Sequence, residues 1–181
     1  LKQDDPDWKK TVDEIRRCGY AKNNKFMPQF AFVENLGGNV NTEFDEYSPA
    51  QSPTRQGRYY FSSARTDTNG GLRDINGLED VVRGHYLADM FQVDLQEGNW
   101  STVLPFEPLL NSPKHDILQD FSTDGSVVYF IKSTDKKNGV LYTDTFNLER
   151  DSGRLLVPVT SLTFKAEMGD KDLFVFNDSL I

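Results

Sequence analysis

His85 and His115 are the only histidines in the chain, so they bound what proton transfer near pH 7 it can perform. Acyl transfer needs a nucleophile, a base within hydrogen-bond reach and a group that orients the base. Ser62, His115 and Asp116 are the residue types for such a triad. No G-x-S-x-G turn carries the serine, and a His-Asp neighbour pair is common in any sequence. No catalytic site is predicted; His115 is expected to face solvent where a strand begins, and His85 to lie in a loop. Cys18 is the single cysteine, so an intrachain disulfide is excluded. It has no CxxC partner or neighbouring histidine and is expected to pack as a small buried apolar residue.

Oxygen-bearing side chains offer a second chemistry. "DTNGGLRD" sets Asp67, Asn69 and Asp74 around a glycine turn, and calcium takes oxygen ligands in such loops. Glu79 falls at the wrong offset for an EF-hand, so the stretch reads first as a solvated, turn-rich loop, with calcium the one cofactor left open. In "EFDEY" (Glu43 to Tyr47), strand geometry puts Asp45 and Tyr47 on one face and Glu46 on the other. An acid at this position is expected to bond backbone in the neighbouring turn. Arg65 follows two serines and is expected to pair with Asp89 across a hairpin or with Asp45; the alternative is an anionic ligand in a central channel. Trp100 is expected to pack between sheets rather than stand exposed for binding. There is no phosphate-binding glycine loop and no H-E-x-x-H. The net charge of -8 weighs against nucleic acid and anionic membrane as partners. No apolar run approaches the ~18 residues of a transmembrane helix.

The elements that position these residues change character along the chain. In "DDPDWKKTVDEIRRCGYAKNNKF", Asp4 or Asp5 can cap a helix, Pro6 suits its first turn and Asp7 complements its dipole. Trp8, Val12, Ile15 and Cys18 line one face, which predicts a helix over Pro6 to Lys22, stopped by Asn23 and Asn24. Trp8 is expected to anchor it to a neighbouring helix or to the β region. From Phe30 the runs become short, rich in Phe, Tyr and Val, and bounded by Gly, Asn, Asp, Ser or Pro. "FAFVENL" is the first of these strand-like runs.

The runs repeat. "VNTEFDEYSPAQS" (Val40 to Ser52) aligns without a gap with "LNSPKHDILQDFS" (Leu110 to Ser122). "YYFSS" then matches "VYFIK", and "MFQVDLQEGN" matches "LYTDTFNLERDSG" more loosely. A third start lies in "DKDLFVFNDSLI". The unit is four short strands with a tight turn between the first two, best made by Asp124-Gly125. Four-stranded units at ~40–50 residues are the mark of β-propeller blades. The first unit is lengthened by an insertion, Thr66 to Ala88, whose "GLEDVVRGHY" is expected to carry a helical turn. Long loops of this kind commonly line a binding face, so Arg73, Asp74, Glu79, Asp80, Arg83, His85 and Tyr86 are the candidate contact residues.

"VNTEFDEYSP", "YYFSSAR", "DMFQVDLQEGNWS" and "LNSPKHDILQDFSTDGSVVYF" resemble the WD40-like repeat (PD40) of TolB-type propellers, in the variety common in Bacteroidetes envelope proteins. The first unit keeps Asn41, Asp45, Glu46, Phe61, Ser62, Ser63, Arg65, Asp89 and Trp100 of that pattern, with "TRQG" where an Asp-Gly turn is usual. The second keeps Asn111, Asp116, Asp124, Gly125 and Phe130 but lacks the arginine, having Ile-Lys-Ser. "DPDWKKTVDEIRRCGYAK" resembles the last helix of a tetratricopeptide array. The resemblance implies an all-β partial propeller of four-stranded antiparallel blades with one N-terminal helix. Residues 1–28 would hold the helix. Residues 29–181 would hold the last strand of a preceding blade, blades near 40–105 and 110–160, and the start of another from 162. That start would stop within its second strand, so the chain is expected to belong to a longer polypeptide whose other fragment brings the remaining blades. The implied function is non-catalytic protein binding or scaffolding in a periplasmic, outer-membrane-associated protein of the tetratricopeptide–propeller–OmpA-like type, serving type IX secretion or gliding. Its partners would be envelope proteins. The alternative is a propeller accessory to a hydrolase or glycan-active enzyme.

Overall fold

A computed structural model describes residues 7–25, 34–74, 76–133, 139–147, 152–158, 173–176 and 179–180. The chain divides into two compact units, Leu1–Asn35 and Leu36–Ile181.

The first unit contains helix α1, Trp8–Asn24, which begins and ends two residues later than the sequence predicts. Its first turn closes on the Asp7 carbonyl, which accepts from the Thr11 N–H at 2.9 Å and from the Thr11 hydroxyl. Exposed i,i+3 pairs, Arg16–Asp13 and Arg17–Glu14, decorate the surface. None of the helix's residues is buried. Trp8 and Val12 are half-covered, Ile15 is 66% exposed, and Cys18 is exposed rather than packed as expected. Two of the four apolar positions in the stripe thus stay in water.

The second unit is antiparallel β throughout its described strands. In chain order these are β1 (Glu46–Gln51), β2 (Arg58–Ser63), β3 (Leu72–Arg73), β4 (His85–Tyr86), β5 (Asp89–Gln96), β6 (Asn99–Trp100) and β7 (Leu104–Pro105). They are followed by β8 (His115–Phe121), β9 (Val127–Ser133), β10 (Gly139–Asn147), β11 (Ser152–Pro158), β12 (Val175–Phe176) and β13 (Ser179–Leu180). The first sheet runs β1-β2-β5, with β6 and β7 both on the far side of β5, so the fourth position is split between two short pieces. The second is the meander β8-β9-β10-β11. β12 and β13 form a small hairpin. Of the expected strand Phe30–Leu36, residues 30–33 lie outside the described residues, and 34–36 are not strand.

The repeat read from sequence reappears in the register. Glu46 pairs with Ser63 and Ala50 with Tyr60 in the first sheet; Asp116 pairs with Lys132 and Asp120 with Tyr129 in the second. Both ladders carry a bulge at the same place, between Tyr47 and Ala50 and between Leu118 and Asp120. Strand alternation then sorts the side chains. Tyr60 and Met90 leave one face of the first sheet and meet Leu118, Phe121, Val128, Phe130 and Phe146 of the second in one buried cluster. Tyr59, Phe61, Phe91 and Val93 leave the other face and gather Val40, Trp100 and Val103. On the second sheet's far face, Ile117, Tyr129, Ile131 and Leu141 pack with Leu173. The first-unit turn "TRQG" is closed by Gly57 at φ +82°, and Gly125 closes the second at φ +72°.

Candidate functional site

Each sheet is led by an asparagine, a hydroxyl residue and, five positions after the asparagine, an acid: Asn41-Thr42 with Glu46, and Asn111-Ser112 with Asp116. The acid closes the leading turn. Glu46 accepts from the Thr42 N–H (3.1 Å) and hydroxyl (2.5 Å), and Asp116 from the Ser112 N–H (2.5 Å) and hydroxyl (2.8 Å). The turn acid of the first sheet is therefore Glu46; Asp45 is exposed, its carbonyl accepts from the Ala64 N–H, and its charge acts on Tyr47.

Arg65 pairs with Glu46 at 3.4 Å, not with Asp89 or Asp45 as the sequence suggested. Glu46 sits opposite Ser63, two residues from the arginine, whereas the Asp89 carboxylate is turned to the Asn69 N–H at 2.7 Å. The guanidinium also donates to the Ser63 hydroxyl and to the carbonyls of Asn39 and Val40, and lies over the rings of Phe61 and Phe91. In the second sheet Lys132, which the sequence did not single out, meets Asp116 at 2.9 Å, donates to the Leu110 carbonyl and lies over Phe130. Its signal was available: it stands where the first unit has Ser63, directly across from the acid.

The junction between the sheets uses Ser62, His115 and Asp116, the residue types weighed above for a triad. Ser62 Oγ accepts from the Leu118 N–H (2.9 Å), and His115 Nδ1 accepts from the Ala88 N–H (3.0 Å). The Asp116 N–H donates to the Ala88 carbonyl (2.7 Å). His115 is thus half-buried and pins the start of β5 instead of facing solvent. Asn111 bridges deeper: Oδ1 accepts from the Met90 N–H, and Nδ2 donates to the carbonyls of Met90 and Phe106. Among the described residues, Asn41 Oδ1 accepts from the Leu36 N–H alone. Asp89, 1% exposed at the root of the insertion, has an Oδ1 without a partner among the described residues. Burial, then the charges of Asp116 and Asp67, push its carboxyl up to about 7 against the pull of the Asn69 N–H and Lys132. Burial likewise raises Asp116, opposed by Lys132. Trp100 meets Tyr59 edge to face at 5.4 Å. Asp124 caps the β8–β9 turn, accepting from Ser122 Oγ and from both the N–H and hydroxyl of Ser126; these bonds lower its carboxyl to about 2.

The insertion is built, not loose. β3 and β4 form a hairpin inside it, pairing Leu72 with Tyr86 and Arg73 with His85, where the sequence suggested only a helical turn. Asp74 Oδ1 accepts from the N–H groups of Asn76 and Leu78, which hold its carboxyl below the usual range. Asp80 Oδ1 accepts from Val82 and Arg83, and Arg73 Nε donates to the Gly70 carbonyl. Gly84 lets the hairpin close, since a Cβ there would collide with the Asp80 carbonyl and the Arg73 nitrogen. Tyr86 stacks edge to face on Phe44 at 5.5 Å. Glu79, Arg83 and His85 are exposed. So are Leu78 (67%), Val81 (70%) and Val82 (85%), none of them among the contact residues predicted from the sequence. Of the three oxygen residues weighed for calcium, Asp74 caps its own turn, whereas Asn69 donates its backbone N–H to Asp89 and the exposed Asp67 lies near the same carboxylate. Among the described residues no three His, Cys, Asp or Glu side chains are grouped to hold a metal ion, and no helix is long and apolar enough to cross a membrane.

Compared with protein-family models, with curated proteins and with solved structures, the chain matches none.

Proposed function

We propose that the β unit is part of a TolB-like, WD40-like propeller that acts as a non-catalytic scaffold in a periplasmic, outer-membrane-associated protein. In this function residues 66–88 are the element offered to a partner protein of the cell envelope, one belonging to a type IX secretion or gliding complex. One observation carries the proposal: two antiparallel sheets of the same register dock face to face, and the first extends a turn-capped loop that holds Leu78, Val81 and Val82 in water. Exposed apolar side chains on a loop fixed by its own hydrogen bonds are preorganised for contact, which lowers the ordering cost of binding. Ser62 and His115 support it further, because the side chain of each accepts from a backbone N–H at the sheet junction.

The test is a photo-crosslinking residue at Val82, placed in the protein within its own cells. The expected product joins it to one envelope protein. That protein, once purified, should bind with at least tenfold lower affinity when Leu78, Val81 and Val82 are all changed to Ser. Unchanged affinity, or no crosslinked protein, would sink the proposal.

A further inference from the structure

The ion pair of the second sheet holds the parts of a condensation reaction. Lys132 and Asp116 face each other across the β8–β9 ladder, and Lys132 Nζ lies 2.9 Å from Asp116 Oδ1. The Asp116 side chain is 0% exposed and that of Lys132 12%. The two oxygens of Asp116 have different surroundings. Oδ2 accepts from the Ser112 N–H and hydroxyl, at 2.5 and 2.8 Å, while Oδ1 faces the amine. The amine in turn donates to the Leu110 carbonyl at 3.1 Å and lies over the Phe130 ring. A second acid belongs to this cluster. Asp89, 1% exposed, is acted on by the charges of both Asp116 and Lys132, and its Oδ1 has no partner among the described residues. Burial pushes its carboxyl up to about 7, so it can hold and pass a proton at neutral pH. The first sheet has the same turn but not the same reactants. Glu46 meets a guanidinium, which stays protonated and is no nucleophile, and the residue directly across from it is Ser63. Of the two sheets, only the second sets a primary amine against a wholly buried carboxyl.

We propose that Lys132 and Asp116 condense to an intramolecular amide that ties β8 to β9, with Asp89 moving the protons. Burial disfavours both charges of the pair, so the ammonium yields a proton to Asp116 Oδ1 and the pair becomes amine and acid. The Nζ lone pair attacks Cγ, and the electron pair of the Cγ–Oδ2 double bond moves onto Oδ2. The Ser112 N–H and hydroxyl, already aimed at that oxygen, stabilise its negative charge. Asp89 gives its proton to Oδ1 and takes one from Nζ, ending as it began. The Cγ–Oδ1 bond breaks, water leaves, and the double bond to Oδ2 re-forms. One ammonium and one carboxylate thus become one amide and one water, with nothing oxidised and no co-reactant used. Holding the two groups in contact gives them a high effective concentration. Removing both charges from an apolar interior favours the product. The ion pair is the state of the newly folded chain, and the amide forms from it.

The test is the mass of the denatured wild-type protein after a day near neutral pH, which needs no variant to fold. It should be lighter than its sequence by one water. Chymotrypsin cuts after Phe121 and Tyr129, and the fragments bearing Asp116 and Lys132 should stay joined. Lys132→Arg keeps the charge but not the nucleophile, and should show its full mass. Asp89→Asn, whose amide oxygen can still accept from the Asn69 N–H, should form the bond roughly a hundredfold more slowly. A wild type of full mass overturns the inference. So does a water lost only at Asp124-Gly125, where an Asp-Gly pair would cyclise to a succinimide. An Asp89→Asn protein that folds and forms the bond at the wild-type rate overturns the role given to Asp89.

Discussion

In the first sheet the turn acid, Glu46, meets an arginine that comes two residues after its strand partner Ser63; in the second, Asp116 meets a lysine in the strand-partner position itself. The acids differ by one methylene and the cations by their place in the chain, and the two changes compensate. The shorter aspartate cannot reach outward, so its cation comes from directly across the ladder. The pairs are not equally secure. Arg65 has a planar fork with several donors and uses them on two carbonyls, a hydroxyl and two rings besides Glu46. Lys132 has the Leu110 carbonyl and one ring besides Asp116, and Asp116 is wholly buried. An ion pair of that kind is weak evidence for net stability but is damaging to break from one side.

The largest expected effect follows directly. Asp116→Ala should cost about 3–5 kcal/mol in urea unfolding, because it leaves a mostly buried ammonium without its counter-charge. Glu46→Ala should cost about 1–2 kcal/mol, since Arg65 keeps its other acceptors. Equal losses would show that the cations' other contacts do not matter. Next is the turn that replaces Asp-Gly in the first sheet. A Cβ on Gly57 would stand 2.9 Å from the Leu95 carbonyl oxygen, at φ +82°. Gly57→Ala should cost about 2–3 kcal/mol, the strained φ and the contact adding together. A loss below about 1 kcal/mol would mean that "TRQG" relaxes into another turn without harm.

The smallest effect is a pH dependence. Asp89 faces Ser63 in the first sheet, at the position that Val140 fills in the second. Its carboxyl is raised to about 7, so the fold favours the neutral form. That contribution is fully present below the ordinary aspartate value, fades as pH rises, and is gone above pH 7. The melting temperature of the wild type should therefore fall between about pH 4 and 7. In Asp89→Asn the amide oxygen still accepts from Asn69, and the fall should be shallower by a few degrees. Parallel curves would show that Asp89 is hydrated. Asp116 is raised in the same direction and stays in both proteins, so the difference between the curves is the quantity to read.

Much of this architecture was legible because its cause is local. Short Tyr- and Phe-rich runs between turn residues predict strands, and the Asn–hydroxyl–acid spacing predicts equivalent turns; both follow from period-2 alternation and from side chains that bond nearby backbone. The pairings were not legible. Arg65 could be matched to Asp89 or Asp45 only by guessing register, and the bulge after Tyr47 lies within the strand that sets it. The half-burial of His115 goes with its bond to Ala88, a residue 27 positions away that directly precedes β5 of the other sheet. Cys18 failed for a different cause: helical spacing identifies a stripe but not what covers it. Leu78, Val81 and Val82 were passed over because the loop was searched for charge, while two aspartates there serve the backbone and leave the apolar groups outermost.

The insertion also sets the order in which the chain can assemble. Twenty-five residues, 64–88, separate β2 from its partner β5, whereas five, 134–138, separate β9 from β10. Closing the longer connection costs about 1.4 kcal/mol more in chain entropy, roughly a tenfold handicap in rate. The second sheet should therefore be complete while the first is still an isolated β1–β2 hairpin, and its exposed face should be the template on which β5 is captured. Closing the connection that holds the insertion would, during folding, be the slow step.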